Sequence, residues 1–252
     1  MGILFGNSNG GTMTRSKQIT RLAMIAALVF SGILIDSIIT YGLTLPIKIA
    51  VATTVVVITI SILCTLKEAL FAGLVFGILS VIRALIMPSL VQAATINNFW
   101  LSFANPFVAI VPRVLIGLNA WLAFRTFKSM FGDKENKFIS KTLPCSLTAF
   151  TGVATNTCFV ALIMFFFKSI SEPNFALWDF IRIYFAGNFL AELTVAMILV
   201  PFLANGLSRV SYFKRESDAI REMSTKMKAV MLTSLAFIFC LIVLSTVIVI
   251  TG

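Results

Sequence analysis

The sequence contains no histidine, and only ten of its 252 residues are Asp or Glu. Without histidine, the commonest general base and the commonest metal ligand are both missing. Charged residues of either sign make up 12% of the chain, about half the share in an ordinary soluble domain. The four cysteines, Cys64, Cys145, Cys158 and Cys240, form no CxxC pair and lie in or beside apolar runs. They read as packing residues, and neither a structural disulfide nor a zinc site is expected. There is no G-x-x-x-x-G-K-[ST] loop, no HExxH, no GxSxG and no Asp-rich membrane motif for a Mg²⁺-dependent transferase. No span carries the arginine spacing of a voltage sensor. No cofactor is expected in this chain.

What fills the sequence instead is apolar residues, at 59%. A soluble domain of this length could not hide so much apolar surface, and disorder is excluded for the same reason. A membrane-spanning helix needs about 20 mostly apolar residues. Seven stretches qualify, at about 22–39, 43–64, 69–87, 106–124, 143–167, 181–203 and 229–251. The sequence therefore predicts an all-α integral membrane protein. The second stretch is rich in Val, Ile and Thr, a strand-like composition in water, but a bilayer forces its backbone to bond internally. The first stretch lacks a small-x-small cleavage site and reads as a span rather than a signal peptide.

Orientation follows from Lys and Arg. One set of loops holds Arg15, Lys17, Arg21, Lys67, Arg125, Lys128, Lys134, Lys137, Lys141, Arg209, Lys214, Arg215, Arg221, Lys226 and Lys228, fifteen of the twenty basic residues. The positive-inside rule makes the N-terminus cytoplasmic, and seven spans then leave Gly252 outside. The net charge of +10 is thus an expression of topology, and no nucleic-acid partner is expected. Residues 1–13, rich in Gly, Asn and Ser, read as a flexible leader. The basic segment 208–228 reads either as an amphipathic surface helix or as a solvated linker, and 229–252 is the seventh helix.

Ionisable residues within spans are expensive and become functional candidates by default. They are Asp36, Arg83, Arg113 and Glu192, joined by the neutral polar residues Asn105, Asn119, Asn156 and Asn188. Tyr184, Asn188 and Glu192 follow at i, i+4, i+8 and share one helix face. If this face meets the one carrying Arg113 and Gly117, Arg113 pairs with Glu192 as a structural ion pair. Alternatively Arg113 or Arg83 receives an anionic group of a solute, and the two roles are compatible. Asn105-Pro106 reads as a plain helix start or as a solute contact. Pro112 is expected to break the fourth helix one turn later, freeing the carbonyl of Val108 for a solute or for a kink. The segment 88–104, with Asn97, Asn98 and Trp100, suits a lid or an interfacial anchor. Ala23 and Ala27 form a small-xxx-small face that packs internally or docks another subunit.

The stretch from Gly73 to Arg83, then Ala104-Asn-Pro-Phe-Val-Ala-Ile-Val-Pro-Arg-Val-Leu-Ile-Gly117, resembles the substrate-binding S component of energy-coupling factor (ECF) vitamin transporters. The Asn-Pro…Pro-Arg-x-x-Ile-Gly pattern looks most like the pantothenate-type branch. The basic flank before Ala23-xxx-Ala27 resembles the face by which those components dock on their transmembrane coupling subunit. The resemblance covers 14–207 and implies a six-helix transmembrane bundle with a vitamin pocket near the outer surface. The seventh helix departs from that pattern. The resemblance also implies a complex with the coupling subunit and two ATPases, with the chain toppling to carry the vitamin inward. Carried onto this sequence, the pocket draws on Asp36, Tyr41, Arg83, Asn97, Asn98, Trp100, Asn105, Arg113, Asn156, Tyr184 and Asn188.

Pantothenate is a small carboxylate with hydroxyls and an amide, and a buried Arg with Asn side chains suits it. Another vitamin (pyridoxine, folate or a precursor) remains the alternative within the class. A membrane-embedded enzyme using Glu192 and Arg113, or a stand-alone channel, is the alternative outside it. The resemblance makes the chain a transport subunit of the bacterial cell membrane, with ATP hydrolysis left to its partners.

Overall fold

A computed structural model describes residues 15–42, 51–86, 105–131, 138–171, 189–210 and Phe213. These form six α-helices: α1 (Arg15–Gly42), α2 (Val51–Leu63), α3 (Leu66–Ile86), α4 (Pro106–Phe131), α5 (Leu143–Ser171) and α6 (Leu190–Leu207). A π-helical turn, Phe138–Thr142, leads into α5. Among the described residues five helices, all but α2, are long and apolar enough to cross a membrane. The thirteen residues of α2 rise about 20 Å; residues 43–50 of the expected second span lie outside the described residues, as do the seventh helix and the segments 1–13 and 214–252. This is a multi-pass helical membrane protein.

The central element is α2. It packs against α1, α3, α4, α5 and α6, while α1, α3, α4, α5 and α6 follow one another around it, each packed on the next. That position explains its composition. A helix apolar on every side is stable only when surrounded, and ten of its residues, from Thr53 to Leu63, are buried. Its β-branched side chains fill the core with Ile25 and Val29 of α1, Phe76 of α3, Ile116 of α4 and Val153 of α5. Cys64, Cys145 and Cys158 are buried in the same core. Outward faces carry Phe30, Leu34, Ile82, Phe107, Phe166, Ile198 and Phe202, exposed as lipid-facing residues are.

Glycine sets the closest contact. A Cβ on Gly73 would strike the carbonyl oxygen of Arg113, one on Gly77 would lie 2.7 Å from the Cα of Ile110, and one on Gly117 would strike the carbonyl of Ala69. Residues 69, 73 and 77 of α3 thus face 117, 113 and 110 of α4, an antiparallel seam in which backbone touches backbone.

Helices α1 and α3 are fastened at both ends, and α2 joins them at one. At one end Arg21 Nε lies 3.0 Å from Glu68 Oε1, an ion pair between the buried Arg21 of α1 and the half-buried Glu68 of α3. Glu68 also accepts bonds from the backbone N–H and the hydroxyl of Thr65, each at 2.8 Å. This is the Thr-x-x-Glu capping arrangement at the start of α3. At the other end Asp36 of α1 accepts from the backbone N–H of Ala52 at 2.8 Å and of Thr53 at 2.9 Å, and from the Thr53 hydroxyl.

Candidate functional site

Asp36 and Arg83 come together, and their partners are protein. The Asp36 carboxylate meets the first turn of α2, where backbone N–H groups lack helical acceptors and the helix dipole favours an anion. Arg83 Nη2 donates to the carbonyl of Asp36 at 3.1 Å and to the Thr40 hydroxyl at 2.9 Å. A cation thereby closes the last turns of α1 while an anion closes the first turn of α2. Asp36 is wholly buried and Arg83 half-buried.

Arg113 stands apart from this node. It is 5% exposed, rises from the α3–α4 seam beside Gly73, and lies over the Phe76 ring with Cζ 5.5 Å from its centroid. Its Nη1 donates to the carbonyl of Val108 at 3.0 Å. This corrects the expected break at Pro112. Helix α4 runs unbroken from Pro106 to Phe131 with Pro112 inside it. The proline removes the N–H that would have reached Val108, and the next residue's guanidinium supplies a donor in its place.

Asn105 is buried, and its Oδ1 accepts from the Phe107 N–H at 3.0 Å while its carbonyl receives the Ala109 N–H at 3.1 Å. It caps α4, with Pro106 at the first helical position. Asn119 Nδ2 donates to the Thr155 hydroxyl at 3.2 Å, tying α4 to α5. Asn156, next on α5, is buried, and its Oδ1 has no hydrogen-bond partner among the described residues. Glu192 is buried in the first turn of α6. Among the described residues α5 and α2 each pack on both α4 and α6.

Ala23 and Ala27 lie exposed on α1. The side chain of Tyr41, and Asn97, Asn98, Trp100, Tyr184 and Asn188, lie outside the described residues.

Over 161 residues the chain is 27% identical to the pantothenic acid transporter PanT of Lactococcus lactis subsp. cremoris, a match covering 59% of this chain and 72% of that protein. No protein-family model and no solved structure matches the chain.

The residue that sequence reasoning missed is Thr54 of α2. It is buried, and its hydroxyl has no partner among the described residues. A threonine in an apolar run carries no ionisable signal, and most such hydroxyls bond their own helix. The Arg21–Glu68 pair carries a weaker signal, Thr65-Leu66-Lys67-Glu68 before an apolar run being legible only as a helix start.

Proposed function

We propose that this chain is the high-affinity substrate-binding membrane subunit of an ECF-type, ATP-driven vitamin importer, and that its vitamin is pantothenate. The likeness to a pantothenic acid transporter carries the reading. The buried Arg113 supports it, because a cation held inside a membrane bundle is the feature that marks a solute pathway. A guanidinium presents its N–H donors in a planar fork, and that fork matches a carboxylate.

In this reading Arg113 receives the carboxylate of pantothenate, with Asn105 at the start of the same helix and Asn156 on α5. Asn188 and Tyr184 contribute from the chain before α6, and Tyr41, Asn97, Asn98 and Trp100 close the outer side. Asp36 and Arg83 form the wall by holding the ends of α1, α2 and α3. The N-terminus is cytoplasmic and the C-terminus extracellular in the cell membrane. A transmembrane coupling subunit docks on Ala23 and Ala27, and two ATPases supply the energy. The chain itself is not an enzyme.

Calorimetric titration of the purified chain in detergent tests the reading, first with pantothenate and then with other vitamins. One-to-one nanomolar binding of pantothenate is expected. A response to pyridoxine or folate alone would change the vitamin. Silence from the whole series, with folded protein, would remove the importer reading.

A further inference from the structure

Most buried hydroxyls in these helices bond a protein group; among the described residues Thr54 of α2 and Thr126 of α4 are exceptions. Thr59 and Ser61 of α2 donate to the carbonyls of Val55 and Val57, each at 2.8 Å. Thr148, Thr151 and Thr155 of α5 likewise donate to the carbonyl one turn back, and Thr53 bonds Asp36. Thr54 does neither. It is 1% exposed and its Oγ1 has no partner among the described residues. Asn156 Oδ1, on a residue 6% exposed, is in the same condition.

These two orphans belong to one place. A Cβ on Gly152 would lie 2.5 Å from Cδ1 of Ile58, so residue 152 of α5 faces residue 58 of α2. Asn156 is one turn beyond Gly152 on the same face of α5, and Thr54 is one turn before Ile58 on the same face of α2. The two helices run antiparallel, so both steps go the same way along the bundle and bring Thr54 and Asn156 to one level. The same position on Gly152 lies 3.7 Å from Cγ2 of Ile116. Arg113 is three residues before Ile116 on α4, which runs antiparallel to α5, so it is displaced toward that same level.

We propose that Thr54 and Asn156 form a neutral polar locus of the solute site that binds a hydroxyl, or failing that an amide N–H, of the solute. For the identity of that solute it rests on the pantothenate reading above. A buried polar atom without a partner is destabilising, and replacing it by an apolar group of the same shape removes that penalty. Two such atoms on the facing sides of the central helix and its neighbour indicate a use outside the bundle's own bonding. The chemistry also selects the partner. Asn156 Oδ1 only accepts, whereas the Thr54 hydroxyl donates or accepts. A solute hydroxyl satisfies both at once, donating to Asn156 and accepting from Thr54, while a carboxylate cannot donate to Asn156. The locus therefore takes the uncharged part of the molecule whose charged end goes to Arg113.

The test uses full-length chain in detergent with the substitutions Thr54→Val and Asn156→Leu. Thermal unfolding without ligand and calorimetric titration with pantothenate are measured for each. Thr54→Val is expected to unfold at or above the wild-type temperature, and both variants to bind pantothenate at least tenfold more weakly. A lowered unfolding temperature for Thr54→Val would show that the hydroxyl is a structural bond and overturn the locus. Unchanged affinity of Thr54→Val, in a protein whose wild type binds pantothenate, would overturn it equally. If the wild type does not bind pantothenate, the vitamin assignment fails by itself. The unfolding temperature of ligand-free Thr54→Val then still decides whether the hydroxyl is unsatisfied.

Discussion

Pro112 and Pro201 lie inside helices and Pro144 at the second position of α5. Each lacks the N–H that would reach the carbonyl four residues back, and in a bilayer no water replaces it. In all three cases a side chain does. Arg113 Nη1 reaches Val108, Lys128 Nζ reaches Ser140 at 3.0 Å, and Ser146 Oγ reaches Met197 at 3.1 Å. The first case gives Arg113 a structural duty that must be separated from solute binding. Arg113→Ala should cost about 1–3 kcal/mol of stability by leaving a buried carbonyl without its donor. Adding Pro112→Ala restores a backbone N–H for Val108 and should recover most of that loss. Pantothenate affinity should not recover with it, staying weaker by about 2 kcal/mol, the worth of a charge-assisted bond. Unfolding temperatures and titrations of the two single variants and the double variant check this. A double variant that regains both stability and binding would leave Arg113 only its structural duty.

At the scale of elements the α3–α4 seam is the least tolerant surface. Gly73→Ala places a methyl against the carbonyl of Arg113, and neither backbone can yield without moving its helix. Overpacking of this kind costs about 1–3 kcal/mol. Gly206→Ala is the control, since its Cβ would meet nothing within 4 Å. Thermal unfolding should therefore fall for Gly73→Ala and hold or rise for Gly206→Ala; equal behaviour would mean the helices are not in backbone contact. Apolar run length made the helices legible, and the bilayer argument identified α2 as helical despite its Val, Ile and Thr. Its central place was not legible, because burial on every side is decided by its neighbours. The end of α4 was set too early, at Phe124. Arg125 lies over the Trp121 ring at 3.6 Å and Lys128 reaches Ser140, so basic residues that resemble a loop extend the helix to Phe131. In the site, charge made Asp36, Arg83 and Arg113 visible, but charge does not say whether the partner is a solute or another helix. Asp36 and Arg83 found helix ends. Thr54 was invisible because its distinction is a bond it does not make.

At the scale of the whole molecule, α1 and α3 are tied at one end by Arg21–Glu68 and at the other by Arg83 with Asp36, which there also ties α1 to α2. Polar ties at both ends of α1 and α3, with α2 held to α1 at one of them, favour motion as one body, which suits the toppling that the resemblance implies. Such motion needs a partner on an outer face, and α1 offers one. Ala23 and Ala27 are exposed, four residues apart, with the exposed Phe30 and Leu34 continuing toward the opposite end of the helix. Small residues admit close backbone approach by another helix, while lipid alone would be served by any apolar side chain. Ala23→Trp and Ala27→Trp therefore fill the proposed docking face without touching the core or the polar locus. Pantothenate titration should be unchanged in both variants, and co-purification with the coupling subunit and its ATPases should be lost. Because the titration and the pull-down read different faces of the same protein, a misfolded variant would lose both. A variant that binds vitamin and still holds the coupling subunit would place the docking face elsewhere on the bundle.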